Sequence, residues 1–223
     1  LFFNKEKLNL FPKVISYDEN FLIINYFENN KKKPNKIDSQ FINILTQLHS
    51  KSSEKFGFYF DTQIGGMRQP NDFDQNWAVF FAEKRLNVIF ETICKTNPMP
   101  KKINQNLENL IRSLNEKIPS NPKPILLHGD LWEGNILFNN GKFMGLIDPG
   151  SFYGHNEMEI AYLRWFNLID ENFIKKYSEF ISIDKMYFSY EPIYQLYYSL
   201  LNVHLWDRRY IHDVENLLKK IKI

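Results

Sequence analysis

The chain has 223 residues, a formal net charge of +2 and a single cysteine, Cys94. Near-neutral charge argues against nucleic acid as the main partner, while one thiol excludes an intramolecular disulfide and suits a reducing, cytoplasmic setting. An apolar share of 43%, with 20 Phe and 12 Tyr, is ample for a packed core, yet no run approaches the ~18 apolar residues of a membrane span and no signal-peptide pattern opens the chain.

In chain order, Leu1–Leu10 reads as the tail of a helix, so the sequence is expected to lack an N-terminal portion. Phe11–Ile15 and Asn20–Phe27 read as two strands around the turn Tyr17–Asn20; the second is nearly all apolar and is expected to be buried on both faces. Glu28–Asn35, with Lys31, Lys32 and Lys33, is a solvated connector to a helical region. Phe41, Ile44, Leu45 and Leu48 give Ser39–Ser50 helical spacing, with Asp38 or Ser39 as N-cap and His49 as a satisfied helix-end histidine. A loop over Thr62–Asn71 precedes one long amphipathic helix, Asp72–Ile93, and a further helix is marked by Ile103, Leu107, Leu110, Ile111, Leu114 and Ile118. After residue 154 the pattern is helical again: Glu157–Leu168, Pro192–Arg208 and Asp213–Ile221. The tyrosines of Tyr187–Tyr198 lack interleaved basic residues, which favours helix packing over stacking on bases.

The informative stretch is Ile125–Gly150. Two apolar runs flank an Asn139–Lys142 turn, which is hairpin grammar. Four residues separate Asp130 from Asn135, and the second run ends at Asp148. Folding the hairpin brings these three side chains to one end, and two carboxylates with an amide oxygen form a hard donor set suited to Mg²⁺. His128-Gly129-Asp130 with Asn135 and a later Asp matches the spacing of the kinase catalytic loop. In that arrangement Asp130 accepts the proton of an acceptor hydroxyl, Asn135 and Asp148 hold metal, and His128 is structural.

His128-Gly129-Asp130-Leu131-Trp132-Glu133-Gly134-Asn135 further resembles the His-Gly-Asp-Leu-Trp-x-Gly-Asn motif of the fructosamine kinase family. Leu146-Ile147-Asp148-Pro149, Phe152-Tyr153-Gly154 with Glu157, and upstream Ile64-Gly65, Gln69-Pro70-Asn71, Trp77, Phe80-Phe81, Glu83 and Arg85-Leu86 are similar too. The resemblance runs from about Pro12 to Tyr210. It implies an α+β, protein-kinase-like (aminoglycoside phosphotransferase-like) fold, with residues 1–28 a remnant of the N-lobe strands and hinge and 29–223 a mainly helical C-lobe. It implies ATP and Mg²⁺ as cofactors and phosphorylation of a sugar hydroxyl on a ketosamine, a fructosamine or ribulosamine adduct. Asn25, Tyr26 and Phe27 are then placed to meet the adenine, and Trp132, Gln69 and Glu157 to meet substrate. For Trp132 a place in the core is an equal alternative.

Two departures stand out. Glu159 replaces the usual Asp of the family's Asp-Leu-Ala segment, one methylene longer, and is expected to lengthen a supporting hydrogen bond. The Gly-rich phosphate loop, the strand lysine and its helix glutamate have no counterpart before Pro12, so weak ATP binding is expected of these residues alone. Another small-molecule kinase (aminoglycoside, choline or homoserine type) and a non-catalytic binding protein of the same fold are the alternatives; oligomeric state is left open.

Overall fold

The computed structural model describes residues 2–6, 8–34 and 39–221. After a short helix α1 (Phe2–Lys5), strands β1 (Val14–Tyr17) and β2 (Leu22–Ile24) form an antiparallel hairpin. Its turn is closed by the Asp18 carboxylate, whose Oδ1 accepts from the Asn20 and Phe21 amides at 2.8 Å each. The strand expected to be buried on both faces is not. Phe21 is 70% and Leu22 63% exposed, because among the described residues this sheet has two strands only and no layer covers it.

Helix α2 (Ser39–His49) follows the predicted spacing, with Phe41, Ile44, Leu45 and Leu48 buried. The N-cap expected at Asp38 or the Ser39 side chain lies outside the described residues and side chains. The predicted loop at Thr62–Asn71 is instead a hairpin, β3 (Thr62–Ile64) and β4 (Met67–Gln69), turned by Gly65 and Gly66 with φ of 55° and 85°. The long helix begins later than expected, at Trp77, because Asn76 caps it by accepting from the Val79 amide at 3.0 Å. It continues as α3 (Trp77–Phe81), a π-helical turn (Ala82–Leu86) and α4 (Asn87–Thr96). That turn carries Arg85, a buried guanidinium held by the Pro70 carbonyl at 2.8 Å and Asn71 Oδ1 at 2.6 Å, 3.9 Å from the centre of the Phe152 ring.

Helix α5 (Lys101–Arg112) leads to β5 (Ile125–Leu127), which pairs antiparallel with β8 (Phe152–Gly154). Between them lies the predicted hairpin, β6 (Ile136–Asn139) and β7 (Lys142–Leu146), with Asn140 and Gly141 both at positive φ in its turn. Helices α6 (Asn156–Trp165), α7 (Glu171–Tyr177), α8 (Tyr187–Leu205) and α9 (Ile211–Lys220) complete the chain. α8 starts five residues before the predicted Pro192, which lies inside the helix in its second turn and removes one i→i−4 donor there.

The core is aromatic, built on Trp77, Phe80, Phe81, Phe152 and the buried tyrosines of α8. Each of those hydroxyls finds a partner: Tyr187 donates to Glu191, Tyr190 to Glu157, Tyr197 to Gln69 Oε1 and Tyr198 to the Gly129 carbonyl, while Tyr194 sits between Trp77 Nε1 and His155 Nδ1. The tyrosine run is therefore helix packing. No helix among the described residues is long and apolar enough to cross a membrane.

Candidate active site

The chain leaves β5 at Leu127 and turns through Gly129, whose φ of 85° belongs to the left-handed region, before reaching Asp130. Four side chains hold this loop directly. His128 is fully buried; its Nε2 donates to the Ile147 carbonyl at 2.9 Å, which leaves Nδ1 to accept from the Asp130 amide at 3.3 Å. Glu159 accepts from the Gly129 amide at 2.8 Å and the His128 amide at 3.2 Å. Its Oε2 also meets His49 Nε2 at 2.9 Å, while His49 Nδ1 meets the Tyr177 hydroxyl at 2.7 Å. The extra methylene of Glu159 thus does not lengthen its bonds. Tyr198 and Ser151 close the loop from below through the carbonyls of Gly129 and His128, each at 3.3 Å.

The bond from His128 to Ile147 fixes the backbone just before Asp148. Asp148 takes φ of 51°, a left-handed conformation uncommon outside glycine. Among the described residues no hydrogen bond or ion pair engages its carboxylate.

Asp130, Asn135 and Asp148 converge on one cleft of about 740 Å³, together with Trp132. Asn135 Nδ2 donates to the Asp130 carbonyl at 2.8 Å and to its Oδ2 at 3.1 Å, which turns the Asn135 Oδ1 lone pairs away from Asp130. Tyr162 donates to the other Asp130 oxygen at 3.2 Å. Burial lifts the Asp130 carboxyl to about 6, against the lowering pull of the Tyr162 and Asn135 hydrogen bonds. Burial likewise raises Glu159, but the His49 bond and charge, His128 and the Gly129 amide outweigh it and hold the carboxyl below its ordinary range. His128 is lowered, chiefly by burial, and stays neutral at pH 7. The donor set facing the cleft, two carboxylates and one amide oxygen, fits a hard divalent cation such as Mg²⁺ and suits zinc poorly.

Trp132 stands between its two expected places. It is partly buried, with its ring over Gly134 and 6.1 Å from Phe166, and one side open to the cleft. Next to it Lys33 pairs with Glu133 at 2.7 Å, which ties the basic connector to the catalytic loop.

The remaining expected contacts lie elsewhere. Gln69 points inward, as strand alternation requires with Arg68 outward, and spends its amide on the Gly150 carbonyl at 3.1 Å, Thr62 Oγ1 at 3.3 Å and the Tyr197 hydroxyl at 3.0 Å. It braces the loop behind Asp148 and does not line the cleft. Glu157 also misses it: five residues from Tyr162 on α6, it points about 140° around the helix. It lies buried beside a separate cavity of about 800 Å³ with His155, Asn156 and Asp184. Asn25, Tyr26 and Phe27 are not cleft residues either. Asn25 bonds the Lys13 backbone, Tyr26 is exposed, and the Phe27 ring covers Gly145 of β7. Sequence reading missed Tyr162, whose place on the inner face of α6 carries no motif, and the outer wall formed by Phe166, Trp206 and Tyr210.

The fold is that of known kinases. A candidate fructosamine-3-kinase of Thermobifida fusca superposes with a TM-score of 0.85 at 23% identity, covering 95% of this chain and 73% of that one. The choline kinase LicA of Streptococcus pneumoniae gives 0.61 at 13% identity, covering 99% and 79%. In sequence the chain is 31% identical to a probable ketoamine kinase of Enterococcus faecium over 78% of its length and 64% of the relative's. It is 30% identical to a probable ketoamine kinase of Vibrio cholerae, over 90% and 69%. A chloroplastic protein-ribulosamine 3-kinase of Arabidopsis thaliana is 30% identical over 74% and 51%. The chain thus spans between half and about two thirds of the length of these three curated relatives. Residues 11–223 match the model that describes fructosamine kinase, and the chain belongs to the fructosamine kinase family.

Proposed function

We propose that this chain carries the catalytic lobe of an ATP- and Mg²⁺-dependent kinase that phosphorylates a sugar hydroxyl of a ketosamine. The observation that supports it most is the convergence of Asp130, Asn135 and Asp148 on one cleft from three places in the sequence. Asp130 would orient the acceptor hydroxyl and take its proton as the oxygen bonds to the γ-phosphorus of ATP and the bond to the departing ADP breaks, with Tyr162 and Asn135 fixing both carboxylate oxygens. Asn135 Oδ1 and Asp148 would hold magnesium, which when bound neutralises charge on the phosphates. The adenine would enter the separate chamber under the β1–β2 hairpin, lined by Val14, Leu22 and Ile24 just before the Asn25–Phe27 backbone, and Trp132 offers its open face to the sugar. A single exposed thiol, Cys94, is consistent with a cytoplasmic setting.

ATP consumption by the full-length protein over ribulosamine, fructosamine and simple amino-alcohol acceptors tests the proposal, with Asp130→Asn as control. Turnover is expected on the ketosamines. Turnover on amino alcohols alone would replace this reading with that of another small-molecule kinase, and none on any acceptor would leave a binding protein.

A further inference from the structure

The cleft continues past the catalytic loop along α8. Tyr198 touches the loop at the Gly129 carbonyl, and Trp206, eight residues on, lies about 12 Å further along the axis. Trp206 caps α8 and is 72% exposed, yet it lines the cleft. The following turn, Arg208–Tyr210, is capped by Asp207, which accepts from the Arg209 amide at 2.7 Å, and brings Tyr210 to the same wall. On the other side Leu205 packs over Gly65, where a missing Cβ leaves it room, so the corner bearing Trp206 is braced from both directions.

The chemistry of this wall is selective. Among the described residues lining the cleft there is no lysine or arginine, and the charged ones are Asp130 and Asp148. Aromatic faces with no basic side chain among them favour a cation over a neutral group. Trp206 and Tyr210 line the same cavity as Asp130, so an acceptor whose hydroxyl lies at Asp130 shares that cavity with both rings.

We propose that Trp206 and Tyr210 are specificity-determining residues that seat the protonated amine of the acceptor against their rings, so that the cleft reads an alkylammonium group joined to the sugar. This rests on the ketosamine reading above and names the part of the substrate that the outer wall recognises. The amine can come from a small molecule or from a lysine side chain of a glycated protein.

Calorimetric titration of the full-length protein at pH 7 tests it with a matched pair: 1-butylamino-1-deoxyfructose, which is cationic, and 1-O-butylfructose, its neutral ether. Wild type is expected to bind the amine roughly 3- to 30-fold more tightly. A Trp206→Leu, Tyr210→Leu variant keeps apolar area but loses the π faces, and its ratio should fall toward one. Glycated lysozyme as a third ligand separates the two sources. Weakening of the small adduct, of the protein adduct or of both supports the proposal and says which amine is read. Equal binding of amine and ether by a wild type that still transfers phosphate, or an unchanged ratio in the variant, overturns this inference alone. Failure of wild type to bind or phosphorylate any of the three overturns the ketosamine reading with it.

Discussion

The Tyr162 hydroxyl donates to Asp130 Oδ1 at 3.2 Å while its ring lies 3.5 Å from that of Tyr198 and nearly parallel to it, so the stacked pair grips the catalytic loop from one side. The donor favours the charged carboxylate, which burial has already lifted to about 6. As the proposed base, Asp130 would work deprotonated, so kcat/KM should rise with pH through that value. In Tyr162→Phe the stabilising donor is gone, and the acid limb should move up by about half to one pH unit. The rate loss should therefore be largest near pH 6 and shrink at pH 8. A uniform loss across the pH–rate profile would assign Tyr162 to packing alone.

Asp148→Asn should impair single-turnover phosphoryl transfer at least as severely as Asp130→Asn, for which base removal typically costs about 10²–10⁴ in rate. A loose transition state depends on charge neutralisation more than on the base. Stability should be spared, within about 0.5 kcal/mol, because asparagine tolerates the left-handed backbone of residue 148 and no hydrogen bond to its side chain is lost among the described residues. A near-normal rate in single turnover would remove Asp148 from the metal site.

Glu159→Ala should cost about 3–5 kcal/mol in urea unfolding at pH 7, since it strands the His128 and Gly129 amides and His49 in the core. The pH dependence has a definite sign. The folded carboxyl is held below its ordinary value, so its contribution is present above the unfolded value of about 4.5 and is lost as pH falls through the folded one. The gap between wild type and variant should therefore narrow in acid.

Glu157 behaves in the opposite sense. Burial raises it to about 7, against the Tyr190 and Asp184 hydrogen bonds, and beside it His155 is driven down to about 3 by burial and stays neutral. The 3.5 Å approach of the two is thus no ion pair at neutral pH. The folded state holds the Glu157 proton more tightly than the unfolded chain, so this contribution is full below about 4.5 and is lost as pH rises through 7. Glu157→Gln should gain about 1–3 kcal/mol relative to wild type between pH 5 and pH 8. Urea titrations at the two pH values measure it, and parallel behaviour of both proteins would refute the assigned protonation.

The Asp130–Asn135 loop and the hairpin after it were legible in the sequence because their signals are local. His128, Asp130, Asn135 and Asp148 sit at fixed offsets around two apolar runs and a turn whose residues demand positive φ. Gln69 and Glu157 misled because a motif records that a residue matters and not which way it points. Their directions follow from strand alternation and from α8 tyrosines more than thirty residues away in Glu157's case and more than a hundred in Gln69's. The β1–β2 hairpin misled differently: an apolar run promises burial only where another layer exists to cover it. His49 looked like a satisfied histidine and is one, but its partner Glu159 lies 110 positions away, and spacing carries no trace of that.

Asp148 is also a partition. Besides the acceptor cleft it borders a second chamber of about 920 Å³, walled by Phe11, Phe21, Leu22 and Phe58 under the β1–β2 hairpin. An occupant of one compartment that draws on this shared carboxylate would alter what the other can bind, and by thermodynamic reciprocity the effect would be the same in both directions.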